Sequence, residues 1–330
     1  MMYLPERPGH PGRRFHVSIR LTATTAALMA VVAMSSLTPQ LVGAQGGTWS
    51  GVSLVTESVC PDNAPAVLHS CAIEAAETFD PLRTPWGRPD LAGAWIHRAQ
   101  GSFEDLEPHP SNADDSGGPG LVVDPPDGEV PMYAWAEART QGHPGRYIHH
   151  NAACFLSGVP ITMYHGSEFQ FLQTPDHLVI LGSNAHAYRI IPLDGRPHVG
   201  ENIRLWNGDS SGYWEGNTLI IETTNQNGMP WFDQRGRFFT EDAHVVEHLT
   251  LIDPDTIHYQ ATVDDPNVFT HPFTIALAYR RITDEGYEML PVACFEVNKS
   301  LMDVYRFLGF TVFPGISPRE AREAMEAERN

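Results

Sequence analysis

Lysine is nearly missing from this chain: of 21 basic residues only Lys299 is one, against 40 acidic residues and a formal net charge of −19. Binding to a phosphate backbone runs on clustered cations, so nucleic acid is not an expected partner. Lysine Schiff-base chemistry and lysine-clamped phosphates hang on that single residue near the C-terminus and are set aside. No G-x-G-x-x-G or G-x-x-x-x-G-K-[ST] loop occurs, so a nucleotide has no glycine-rich cradle and no cofactor is expected. Cysteine is scarce, with four residues and no C-x-x-C spacing, which leaves neither a thiolate metal site nor a dithiol redox motif. Punctuation, by contrast, is plentiful. The 27 prolines and 28 glycines interrupt too often for long helices or coiled coils, while 42% hydrophobic and 10% aromatic content excludes disorder and supplies a sizeable core. A β-rich fold of many short elements follows.

The longest apolar run sits at the N-terminus. Arg7, Arg13, Arg14 and Arg20 precede an uncharged stretch from Leu21 to about Leu37, and Val42-Gly43-Ala44 stands before Gln45. Basic segment, apolar segment and small residues in that order read as a secretory signal over residues 1 to 44. A membrane anchor needs about 20 strongly apolar residues, and this run is diluted by Thr22, Thr24, Thr25, Ser35 and Ser36. Arg13-Arg14-Phe15 hints at twin-arginine export, though paired arginines also occur in ordinary signals. The expected mature protein, periplasmic or secreted, has no membrane span. Its 17 basic and 39 acidic side chains give a formal charge of −22.

In an oxidising compartment four cysteines read as two disulfides, with three possible connectivities. Cys60 and Cys71 flank a short proline-containing loop and are paired, which leaves Cys154 with Cys294. Residues 45 to 145 read as an irregular arm with one short helical stretch around Ala66 to Ala76 and proline-rich loops that wrap the domain or cover a cleft.

Residues 146 to 300 carry the expected domain. After Glu168 come runs of alternating or apolar character with turn signals every 8 to 12 residues. The runs are Phe169 to Thr174, Leu178 to Ser183, His186 to Pro192, Ser211 to Trp214, Thr218 to Thr224, His244 to Ile252, Thr256 to Val263, Phe273 to Ile282 and Tyr287 to Val297. Eight or nine such strands joined by short turns fit an all-β, up-and-down antiparallel barrel of the lipocalin or calycin kind, since closure removes exposed edges. A β-sandwich is the alternative. Residues 301 to 330 form a helical tail, opened by Ser317-Pro318-Arg319-Glu320 as a capping signal.

Several segments are similar to one another's counterparts in a known group. Trp86-Gly87-Arg88-Pro89-Asp90-Leu91-Ala92-Gly93-Ala94-Trp95 resembles the opening of an uncharacterised family of exported bacterial proteins. Arg189-Ile190-Ile191-Pro192-Leu193-Asp194-Gly195-Arg196-Pro197-His198, Gly208-Asp209-Ser210 with Trp214-Glu215-Gly216-Asn217-Thr218-Leu219, His244-Val245-Val246-Glu247 and Asp264-Asp265-Pro266 resemble its recurring words. The likeness spans roughly Thr84 to Asn298. His248 stands where that family has arginine, and Thr270-His271-Pro272-Phe273 where it has an arginine and a tryptophan. The resemblance implies one exported, family-sized domain and no particular activity.

Two familiar words fail on context. His244-Val245-Val246-Glu247-His248 matches H-x-x-E-H, which needs a helix to bring both histidines to zinc, yet the run continues into a hairpin. Gly208-Asp209-Ser210-Ser211-Gly212 matches G-x-S-x-G, but a hairpin follows where a nucleophile elbow needs a helix. On a strand, Glu247 shares a face with Val245, Leu249 and Leu251 and points into the apolar side. There it serves as a general acid or base with a raised pKa, or it pairs with Arg189, Arg280 or Arg281 as a structural ion pair. His186 and Tyr188 on one strand face, and His244 with Asp242 or Asp233, are the expected proton carriers beside it. Trp231, Phe232, Trp206 and Tyr259 are the expected ligand-binding aromatics of a barrel mouth. His149, His150 and His165 form a weaker metal option, and no metal site is assigned.

The expected function is thus an exported barrel enzyme acting on a small, largely apolar or aromatic molecule by acid/base chemistry, of lyase, isomerase or hydrolase type. Glu247, His244, His186, Tyr188 and Asp233 are its candidate catalytic residues. A non-catalytic, lipocalin-like carrier is the first alternative, and a histidine-rich metal binder the second.

Overall fold

The computed structural model of the protein describes residues 58–97, 101–113, 115–165, 168–184, 187–290 and 294–329. The expected signal, residues 1 to 44, and His186 lie outside the described residues.

Nine strands form one antiparallel path. In chain order they are β1 (Gly93–His97), β4 (Glu168–Gln173), β5 (His177–Gly182), β6 (Tyr188–Pro192), β7 (Asp209–Glu215), β8 (Thr218–Thr224), β9 (His244–Asp253), β10 (Thr256–Asp264) and β11 (Phe273–Arg281). The short β2 (Val122–Asp124) pairs with β11 off this path, and β3 (Tyr147–Ile148) pairs with β12 (Thr311–Val312) in a separate two-stranded sheet. Neighbours along the path run β6-β5-β4-β1-β11-β10-β9-β8-β7, so the last strand returns to the first and the strands follow chain order around a nearly closed up-and-down barrel. One continuous sheet around one core replaces the sandwich alternative.

The seam has a parity argument. Along nine strands whose paired neighbours are all antiparallel, the two at the ends, β6 and β7, point the same way. Parallel neighbours cannot be joined by a tight hairpin. Accordingly the long segment 193–208 connects them, and among the described residues no ladder zips them. Side chains close the gap instead. A Cβ at Gly212 would lie 2.9 Å from Leu193 Cδ2 and 3.2 Å from Ile191 Cγ2, so glycine lets β7 approach β6.

Period-2 alternation fixes which side chains enter the barrel. Val245, Leu249 and Leu251 of β9, Tyr259, Ala261 and Val263 of β10, and Phe273, Ile275 and Tyr279 of β11 all belong to one buried cluster. Arg189 and Ile191 of β6 are buried, whereas Tyr188 and Ile190 are 59% and 57% exposed on the other face. Trp95 of β1 is fully buried with the Arg281 guanidinium 4.1 Å above its ring. Gly93, at φ +138°, leaves room for that arginine, whose Nη1 would lie 2.5 Å from a Cβ there.

Two expectations about the elements are corrected. β1 lies within the segment read as an irregular arm, and no strand covers the described part of Tyr287 to Val297. There α3 (Cys294–Phe307) begins instead, because a short apolar run fits a helix start as well as a strand. The rest of the arm holds α1 (Pro65–Thr78) and α2 (Ala134–Thr140). Leu68 and Ala72 of α1 pack on Ile252 and Ala278 outside the barrel, and Arg280 holds Asp62 at 2.9 Å. The tail ends in α4 (Pro318–Arg329), whose Glu320 N–H donates to Ser317 Oγ at 3.3 Å. Both expected disulfides, Cys60–Cys71 and Cys154–Cys294, are formed.

Candidate functional site

Glu247 is fully buried inside the barrel, as its strand face requires, and it is paired. Arg189 reaches across the seam and donates from Nη1 to Oε1 at 2.8 Å and from Nη2 to Oε2 at 2.5 Å. The Tyr259 hydroxyl donates to Oε1 at 2.9 Å, and Arg189 Nη2 also reaches Ser210 Oγ at 3.1 Å. Burial works against the Arg189 charge, but the adjoining carboxylate more than offsets it and holds the guanidinium above its ordinary pKa. Burial, reinforced by Glu247, pushes the Tyr259 phenol well above its usual value. Every oxygen of Glu247 is engaged, which fits the structural ion-pair reading of this residue. Phe169, Phe171, Tyr259 and Tyr279 fill the same interior.

Asp233 is equally enclosed, in a different place. Its Oδ2 accepts from Arg237 Nη1 at 2.6 Å and from the Leu106 N–H at 3.2 Å. Asp105 also takes Arg237 Nη1 at 2.6 Å, Glu107 takes Nη2, and Arg235 adds a bond to Asp105 at 2.8 Å. Burial raises the pKa of Asp233 and of Glu107. For Asp105 burial is overcome by Arg237, and its pKa is lowered. This cage ties the 101–107 loop to the β8–β9 connection, and the Gln234 N–H donates to Phe103 O at 3.0 Å in the same join.

Of the five expected catalytic residues, the four that are described do not gather in one site. Tyr188 faces outward, His244 sits half-exposed at the start of β9 with Glu222 4.0 Å away, Asp233 belongs to the Arg237 cage, and Glu247 is locked to Arg189. Among the expected ligand aromatics, Phe232 is a core residue packed on Phe239 and Phe273, Tyr259 is bonded to Glu247, and Trp206 stacks on Phe155 at 4.7 Å. Of these four, only Trp231 lines a cleft beside the barrel.

That cleft, about 480 Å³, is built from segments between the strands. Phe103 comes from the caged loop, Tyr147, Ile148, His149, Asn151 and Ala152 from β3 and the turn after it, and Cys294, Asn298, Tyr305 and Phe310 from α3 and the residues beyond. The Cys154–Cys294 disulfide and the Asn298 Nδ2 bond to Ala152 O at 3.2 Å fasten α3 to the opposite wall. His165, Asn184 and Trp231 complete the lining.

Three histidines gather here. The Asn151 N–H donates to His149 Nδ1 at 3.2 Å, and the Trp231 N–H to His150 Nδ1 at 3.2 Å, so in both rings Nε2 carries the proton. His165 Nδ1 accepts from the side-chain amides of Asn151 and Asn184, each at 2.8 Å, and its ring lies 3.8 Å from that of Phe103. Burial pushes His149 down to about 4, His165 to about 3 and His150 well below the usual imidazole range. All three are neutral at neutral pH. Among the described residues, His149 Nε2, His150 Nε2 and Trp231 Nε1 are buried without a partner. No group of three or more His, Cys, Asp or Glu among the described residues is placed to hold a metal ion.

The sequence signals for this place are His149-His150 with His165, read as a metal option, and Trp231, read as a ligand aromatic. Phe103, Tyr147, Asn151 and Asn184 carry no motif at all. No protein-family model matches the chain, and no curated protein matches it.

Proposed function

We propose that this protein binds a small, largely apolar or aromatic organic molecule, and that the cleft between Phe103, Trp231 and α3 is the site. The observation that carries the reading is the wall composition: Phe103, Tyr147, Trp231, Tyr305 and Phe310 surround a few fixed polar groups, the make-up small-molecule sites share. The barrel interior is occupied by its own aromatic side chains and the Arg189–Glu247 pair, so the ligand of this carrier sits beside the barrel rather than in it. Two disulfides and the signal-like N-terminus support a periplasmic or secreted protein, in keeping with the exported family it resembles. The acidic chain, with its single lysine, supports a small molecule rather than nucleic acid as partner.

A second reading, catalysis on the bound molecule, is favoured by one observation. His149 and His165 are held neutral, and a neutral imidazole N–H can polarise a substrate oxygen without delivering a full charge. Substituting Ala152, which lines the cleft, by tryptophan tests the shared site. Ligands that co-purify with the wild-type chain, seen as added mass in native mass spectrometry, are lost from Ala152→Trp; their retention sinks the assignment.

A further inference from the structure

We propose that the cleft selects an uncharged, flat molecule through one carbonyl-type oxygen, received by the Trp231 Nε1–H and the His149 Nε2–H. The inference rests on the reading of the cleft as the ligand site and adds the class of ligand.

The first observation is charge. Among the described residues lining the cleft none is formally charged, although 18% of the chain is. A bound anion would be desolvated with no cation beside it, inside a protein whose own charge is strongly negative. A bound cation would likewise meet no carboxylate. The chemistry left is that of a neutral molecule.

The second observation is the surplus of donors. Indole N–H can only donate, and the tautomer fixed by the Asn151 N–H makes His149 Nε2 a donor as well. Both atoms are buried without a partner among the described residues, and both residues line the same cleft, with ring centroids 5.2 Å apart in an edge-on pair. Buried donors left unpaired are costly, and an acceptor on a ligand would satisfy them. A carbonyl oxygen has two lone pairs and accepts two such bonds. Nearby acceptors are already spoken for: His165 Nδ1 receives both Asn151 and Asn184, and Asn151 Oδ1 receives the Ser157 hydroxyl at 2.8 Å. Phe103, Tyr147, Tyr305 and Phe310 line the cleft with aromatic surface for a planar skeleton.

The test compares three molecules on one ring system: 2-acetonaphthone, 2-ethylnaphthalene and 2-naphthoate, titrated calorimetrically into the mature, disulfide-bonded protein at neutral pH. The ketone is expected to bind about tenfold or more tighter than either of the others, because a site with donors to satisfy rejects the analogue lacking the acceptor. Its carbonyl stretch should move to lower wavenumber on binding, a measurement that needs no variant. In Trp231→Phe that preference over the hydrocarbon should vanish while hydrocarbon affinity is nearly kept, and His149→Phe should act in the same sense. Equal binding of ketone and hydrocarbon overturns the carbonyl inference and leaves the cleft as a ring-binding site. Tightest binding of the naphthoate overturns it in favour of an anion. Failure of all three to bind removes the cleft reading together with the inference.

Discussion

The barrel interior and the cleft bury polar groups by opposite rules. Inside the barrel, Glu247 and Arg189 carry full charges, and both carboxylate oxygens are matched by donors from β6 and β10. In the cleft no described lining residue is charged, yet His149 Nε2 and Trp231 Nε1 have no partner. A carboxylate with both oxygens satisfied holds strands together and offers nothing to a ligand, even though Arg189 Nε is left without a partner. Neutral groups left unsatisfied contribute little to the fold and have binding capacity to spare. Burial alone, which singles out Glu247, Asp233 and the histidines alike, does not tell the two cases apart. Satisfaction does.

Breaking each region by its strongest constraint gives the largest effects. The Cys154–Cys294 bond closes a loop of 140 residues, so Cys154→Ser with Cys294→Ser should lower unfolding free energy by up to about 5 kcal/mol through chain entropy and release α3 from the cleft wall. Denaturant unfolding of the two proteins checks it; an unchanged midpoint would mean that α3 is held by other contacts. Next comes Arg189→Met, which strands the Glu247 carboxylate in the core and should cost about 3–5 kcal/mol. Removing both charges, as Arg189→Met with Glu247→Leu, should recover most of that loss. If the double variant is as unstable as the single one, the pair is not the self-contained unit described here.

The sequence made the interior more legible than the cleft, and the reason is regularity. Strands β4 to β11 announce themselves by alternation and by turns such as Asp253-Pro254-Asp255, and the same alternation placed Glu247 inside with Arg189 among its possible partners. β1 escaped because only Trp95 of its five residues is buried, which gives no period to read. Arg88 and Pro89 just before it and Gly93 at its start look like loop punctuation. The cleft has no periodic signature, since Phe103, His149, His165, Asn184, Trp231 and Asn298 come from five connections and a helix and meet only through the fold. Tyr188 and His244, read as catalytic from their place along strands, are turned outward by those strands.

Acid sharpens the comparison further, because the two kinds of buried group respond with opposite sign. His149 titrates near 4 and His165 near 3 in the folded protein, below the ordinary 6.5 of an imidazole in the unfolded chain. Between those values the unfolded state binds more protons, so stability is complete above 6.5 and falls as pH drops, by about 1.4 kcal/mol per pH unit for each ring. His258, pushed by burial to about 3 beside His69, adds the same slope outside the barrel. Glu107 and Asp233, whose pKa values burial raises, act the other way: the folded state holds their protons more tightly, and their contribution to stability is lost as pH rises through the carboxylate range. Thermal melts from pH 7 to 4 should therefore fall steadily, and His149→Phe should flatten that fall while changing the melt at pH 7 by little, since it removes an unpaired donor from a neutral ring. A His149→Phe protein that melts much lower at pH 7, with an undiminished acid slope, would place His149 among the structural groups and erase the distinction between the cleft and the barrel interior.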